Sequence, residues 1–98
     1  MREAGFQKKM IDEIQAAFPE AIILKNDASY LLGVPDITVL YRSRWAFLEC
    51  KKEEHSRKQP LQDDYVDYAA TWSFGAFVHQ DNWHLIRPML FDFLIGDE

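Results

Sequence analysis

Gly33 to Lys51 reads GVPDITVLYRSRWAFLECK, and the fold of the chain turns on how that stretch pairs with itself. Two apolar runs rich in β-branched and aromatic residues, Ile37-Thr38-Val39-Leu40-Tyr41 and Trp45-Ala46-Phe47-Leu48, flank the polar link Arg42-Ser43-Arg44, which is the pattern of a β-hairpin. A two-residue turn centred between Arg42 and Ser43 sets Asp36 directly across from Glu49 on one face of the sheet. Lys51 then follows about 6.6 Å further along that face. A three-residue loop would turn Asp36 away from Glu49, and a four-residue loop would put Asp36 opposite Lys51. Arg-Ser is not a favoured two-residue turn, which takes Asn-Gly or Asp-Gly. Two opposed carboxylates repel, so the pair needs a divalent cation or the Lys51 ammonium beside it.

Metal-assisted phosphodiester hydrolysis uses such a cluster. Mg²⁺ takes carboxylate, carbonyl and water oxygens, usually through one or two protein carboxylates plus the substrate's own phosphate. The ion acidifies a water and neutralises charge on the phosphoryl oxygens, while a neighbouring lysine orients the water or stabilises the transition state. Asp36 and Glu49 are the expected ligands of Mg²⁺ or Mn²⁺, and Lys51 is their electrostatic partner.

Pro35-Asp36, a gap of a dozen residues, and Glu49-Cys50-Lys51 resemble the PD-(D/E)XK signature of the restriction-endonuclease-like nucleases. With Gly33 before Pro-Asp, a hydrophobic hairpin between the motif halves and a glutamine-bearing helix after the lysine, the chain is similar to VRR-NUC domains and small phage-encoded nucleases from Glu3 to about Ile86. The resemblance implies a restriction-endonuclease-like core, a mixed central sheet flanked by helices, and a Mg²⁺-dependent endonuclease acting on DNA. It also implies that a glutamate on the first helix approaches the metal. Glu3 with Gln7 matches the family's E-x-x-x-Q pattern, and Glu13 is the rival. Gln62, with Gln59 as the less favoured substitute, would support the lysine, and the Cys50 backbone carbonyl would offer an oxygen ligand. Family and small size together imply a homodimer acting on branched DNA such as Holliday junctions, with one active site for each of two strands. A cytoplasmic location follows, in a bacterium if the chain is phage-encoded.

The 98 residues suit a single domain over 1–98, and with 48 % hydrophobic and 14 % aromatic residues the chain is globular rather than disordered. No apolar run approaches the roughly 20 residues of a membrane span, and the N-terminal segment lacks a signal-peptide pattern. The sole cysteine, Cys50, rules out an internal disulfide, suits a reducing cytosol and reads as a small core residue. The formal net charge of −5 argues against a general nucleic-acid coat protein, yet cations gather between Arg42 and Lys58. Lys52, His55, Arg57 and Lys58 are expected to track DNA phosphates, and Lys25 at a strand end could hold another.

Around this hairpin, Phe6, Met10, Ile14, Ala17 and Phe18 recur at helical spacing, with Glu3 and Gln7 projecting into the middle of their stripe. A terminal glutamate also suits the helix dipole with no site at all. Pro19 ends that helix, Ala21–Lys25 reads as a short buried strand, and Asn26-Asp27 signals a turn. Tyr30, in the loop that follows, is expected to pack in the core rather than stack on a base. Trp45, Phe47, Glu49 and Lys51 alternate with Ala46, Leu48 and Cys50, so both faces of the third strand are largely apolar, as in a covered central strand. Pro60 opens a second helix to about Trp72. Ser73–Val78 and Trp83–Ile86 read as two more strands joined at Gln80-Asp81-Asn82, and Met89–Ile95 as a short closing helix that could also form a subunit interface. The expected class is α/β, in the order α-β-β-β-α-β-β plus a short C-terminal helix. Two other functions compete: a non-catalytic DNA-binding or assembly protein on a nuclease scaffold, and an unrelated interaction module carrying the motif by coincidence. RNA shares the phosphate chemistry and stays open as a substrate.

Overall fold

Alternation along the Trp45–Cys50 strand demands cover on both sides, and the helices supply it. The computed structural model describes residues 3–51 and 60–96, without the side chains of Glu3 and residues 60–63. Its elements are α1 (Glu3–Ala17), β1 (Ile22–Lys25), β2 (Ile37–Tyr41), β3 (Arg44–Cys50), α2 (Pro60–Trp72), β4 (Phe74–Val78) and α3 (Trp83–Ile95). The strands lie side by side as β1-β2-β3-β4. The first two pairings are antiparallel, and β3 pairs with β4 in parallel through the α2 connection. Parallel neighbours need such a crossover because no tight turn returns the chain to its starting end. The result is a mixed α/β fold with β3 inside the sheet.

On one face Ile37, Val39, Ala46, Leu48, Cys50 and Val78 are buried beneath Phe6, Met10 and Ile14 of α1 and Leu90 and Leu94 of α3. Fully burying each of the large aliphatic side chains is worth about 1.5–3 kcal/mol, and this layer is the main core. On the other face α2 lies against β3 and β4. Gly75 permits the close approach: a Cβ there would stand 2.4 Å from the Val66 carbonyl oxygen and 2.8 Å from the Ala69 Cβ. Tyr65 meets Phe47 and Tyr68 meets Trp45, with ring centroids 6.5 and 6.1 Å apart. No described helix is long and apolar enough to cross a membrane.

Three expectations are corrected here. Trp83–Ile86 is not a strand: Trp83 opens α3, which runs unbroken through Pro88 to Ile95. The residues it buries are Trp83, Leu90 and Leu94, a helical spacing that a four-residue window of apolar residues conceals. Asn82 makes the corner, its Oδ1 accepting the His79 N–H at 2.8 Å and its Nδ2 donating to the Phe77 carbonyl at 3.0 Å. Pro88 removes the N–H that would bond the His84 carbonyl, and both residues lie on the exposed side of the helix. The order is therefore α-β-β-β-α-β-α. Tyr30 is the second correction, since it lies 91 % exposed, outside the core altogether. The third is β1, expected as a buried strand: it lies at the edge of the sheet with Ile22, Leu24 and Lys25 exposed and Ile23 half-buried, because no described helix covers that end of its outer face.

Candidate active site

Ile37 pairs with Leu48 and Tyr41 with Arg44, which leaves Arg42 and Ser43 as a two-residue loop. Arg42 adopts a φ of 55°, the positive value that tight hairpin turns require and usually obtain from Asn, Asp or Gly. One step beyond Ile37, this register sets Asp36 across from Glu49. Two reciprocal bonds lock the pair: the Asp36 N–H donates to Glu49 Oε1 at 2.9 Å, and the Cys50 N–H donates to Asp36 Oδ2 at 2.8 Å. Lys51 Nζ stands 3.5 Å from Glu49 Oε2 and 5.7 Å from the centre of the Phe77 ring. Its backbone N–H donates to the Val78 carbonyl at 2.7 Å, so β4 steadies the lysine as β2 steadies the carboxylates.

Glu49 is only 2 % exposed. Burial first, then the Asp36 charge and the side-chain hydrogen bond to Asp36, push its pKa up to about 7, while the Asp36 N–H and the Lys51 charge pull the other way. Glu49 thus keeps its proton towards neutrality unless a cation replaces it.

The donor set fits a hard divalent ion. It consists of carboxylate oxygens on Asp36 and Glu49, with the Cys50 thiol kept in the core on the opposite face of the sheet. Among the described residues no group of three or more His, Cys, Asp or Glu side chains forms. Two carboxylates completed by water and phosphate suit Mg²⁺, whereas a structural zinc needs four protein ligands.

Asn26 is the member of this site that its sequence context hides. Its N–H donates to the Asp36 carbonyl at 2.8 Å, and its Nδ2 donates to the Pro35 carbonyl at 2.8 Å and to Thr38 Oγ1 at 2.7 Å. The end of β1 thereby clasps the backbone on both sides of Asp36. An Asn-Asp dipeptide signals a turn, and nothing local in it tells which strand its side chain will hold. Phe77 is hidden for the same reason, because it reaches Lys51 only through the β3–β4 register.

The other expected residues fall into three groups. Glu13 accepts from Trp83 Nε1 at 3.3 Å and pairs with Arg87, which fastens α1 to α3. Glu3 opens α1. Phe18, just past the other end of that helix, meets Tyr41 edge-on with centroids 4.9 Å apart, and Phe6 near its start is buried in the same core as Ile37 and Leu48. Along α2, Tyr68 lies against Trp45 and Tyr65 against Phe47, so the turn before them brings position 62 to the level of Glu49. The side chains of Glu3 and Gln62 lie outside the described residues, as do Lys52, His55, Arg57, Lys58 and Gln59 in full. Lys25 is exposed at the end of β1, paired with Ile37 and one strand over from the carboxylates.

No protein-family model, no curated protein and no solved structure matches this chain.

Proposed function

We propose that the protein is a divalent-metal-dependent nuclease of the PD-(D/E)XK kind that hydrolyses phosphodiester bonds of DNA. The observation that carries this reading is the Asp36–Glu49–Lys51 cluster, two carboxylates joined across a hairpin with a lysine nitrogen 3.5 Å from one of them. Two facing carboxyl groups, Glu49 buried and Asp36 half-buried, have a direct explanation in a cation that they hold together. Mg²⁺ or Mn²⁺ held by Asp36 and Glu49, with the Cys50 carbonyl as a further oxygen, would acidify a water and neutralise charge on the phosphate.

The chain's own groups do the rest. Lys51, its Nζ between the Glu49 carboxylate and the Phe77 ring, offers a fixed cation to charge developing on the phosphoryl oxygens. Cys50 N–H and Asn26 hold Asp36 rigidly from two sides, the preorganisation that metal chemistry needs. Glu3 would support the metal shell and Gln62 the lysine. Lys25, Lys52, His55, Arg57 and Lys58 would contact the DNA backbone. A homodimer acting on branched DNA belongs to the same reading, and two-fold symmetry would then supply one site per strand.

Cleavage of a labelled panel tests it: four-way junction, nicked duplex, linear duplex and single strand, with Mg²⁺ or Mn²⁺. Incision should require the metal and vanish in Asp36→Ala and Lys51→Ala. Binding without cleavage by a folded, metal-loaded wild type would overturn the enzyme and leave a DNA-binding scaffold.

A further inference from the structure

Tyr30, Leu31 and Leu32 are three consecutive large apolar residues, exposed by 91, 44 and 71 %. Loops rarely show such a tip to water without a partner. The segment is nevertheless built. Asp27 Oδ1 accepts from the Ser29 N–H at 2.9 Å and its hydroxyl at 2.6 Å. The Tyr30 and Leu31 N–H groups reach the Asp27 carbonyl at 3.0 and 3.3 Å, and the Val34 N–H reaches the Leu31 carbonyl at 3.1 Å. Gly33, at a φ of 83°, makes the turn back to Pro35, a conformation that favours glycine. The foot of this loop is the Asn26 clasp on Asp36, and an open groove of about 590 Å³ lies there, lined by Asn26, Asp27, Tyr30, Leu31 and Val34.

We propose that this loop is a base-stacking platform: the Tyr30 ring receives an unpaired nucleobase of the strand that enters the Asp36 site, and Leu32 wedges beside it. The proposal rests on the nuclease reading and adds what that reading lacks, a preference for unstacked DNA built into the chain beside the carboxylates. Charge selects a base over a phosphate for the groove. The Ser29 hydrogen bonds hold Asp27 below the usual carboxylate range, so it stays anionic, repels phosphate and accepts from the exocyclic amino group of cytosine, adenine or guanine. Size selects a base over a second copy of the chain, since three loop side chains bury far less than the roughly 800 Å² per partner of a stable protein interface.

The test measures binding without divalent ions, so that no strand is cut. The probes are a single strand and a gapped duplex, each carrying 2-aminopurine at an unpaired position, and a blunt duplex. Wild type should quench the 2-aminopurine fluorescence on binding. Tyr30→Ala should abolish the quench and weaken single-strand and gapped binding about tenfold while moving blunt-duplex binding less than about twofold, and Tyr30→Trp should restore both. Unchanged affinity and quenching in Tyr30→Ala overturn the platform. So does a loss of self-association in sedimentation with DNA binding intact, which would make the loop an interface between copies. A wild type that cleaves DNA yet is indifferent to Tyr30 sinks only the platform; one that neither cleaves nor binds DNA sinks the nuclease reading and the platform with it.

Discussion

Glu49 sets two opposing demands on one side chain: it is nearly buried and it faces another carboxyl group. In the native chain it keeps its proton to about pH 7, whereas in the unfolded chain a glutamate titrates near 4.3. Between those values the native state binds the more protons, so the metal-free protein loses stability as the pH rises through that window. The loss is on the order of 3 kcal/mol by the time both states are ionised. The urea midpoint of wild type should therefore fall between about pH 5.5 and pH 8, while that of Glu49→Gln should stay nearly level and lie above wild type at the upper end. A wild-type midpoint that rises over that range contradicts the raised Glu49 pKa. Lys51 separates from the carboxylates by what its loss affects. Lys51→Ala should lower kcat by about 10²-fold or more while metal affinity is kept or tightened, because a nearby cation has gone. Asp36→Ala should lose metal binding and cleavage together, as calorimetric titration with Mn²⁺ beside the cleavage assay would reveal.

At the scale of elements, the site depends on two strand ends being held in place by their neighbours. Asn26 joins β1 to the entrance of β2 with two side-chain hydrogen bonds. Asn26→Ala should cost about 1–2 kcal/mol in thermal melts and weaken Mn²⁺ binding, while Lys25→Ala, one residue earlier and exposed, should do neither. The junction of α2 with β4 is as tight as backbones allow. Gly75→Ala would thrust a methyl group to 2.4 Å from the Val66 carbonyl, and the shift this forces should cost about 1–3 kcal/mol, read as a lower melting temperature. Because α2 also brings position 62 to the level of Glu49, that variant should lose activity beyond its loss of stability. The third helix shows the limit of local reading. Trp83-His84-Leu85-Ile86 has strand-like composition, and only the next two turns, with Leu90 and Leu94 inside, reveal a helical period that carries through a proline.

For the whole molecule the proposed metal site makes one quantity decisive, the linkage between cation binding and folding. A cation that binds only the native state at a hundred times its Kd adds about 2.7 kcal/mol of stability. Protons compete for the same carboxylates, so the rise in melting temperature with Mg²⁺ or Mn²⁺ should be larger at about pH 8 than at pH 6. It should be absent in Asp36→Ala. A wild-type melting temperature indifferent to both ions at the higher pH removes the metal site from consideration. Exposed apolar residues on the outer sheet, Ile22, Leu24 and Leu40, together with Trp72 of α2, add a surface that ultracentrifugation can test for self-association.

Local period and turn chemistry were enough for the hairpin, for the covered central strand, for the start of α2 at Pro60 and for the shared face of Glu49 and Lys51, because each depends on residues close together in the chain. The choice among three loop lengths was not local: it needed Arg42 to accept a positive φ, which the packing of β2 and β3 imposes on a residue that would rarely choose it. Tertiary structure alone decided that Asn26 clasps Asp36, that Phe77 lies by Lys51, that Glu13 serves α3 and that Tyr30 stands in solvent. Those outcomes depend on which surfaces meet across the fold, and a side chain's own neighbours in sequence carry no record of that meeting.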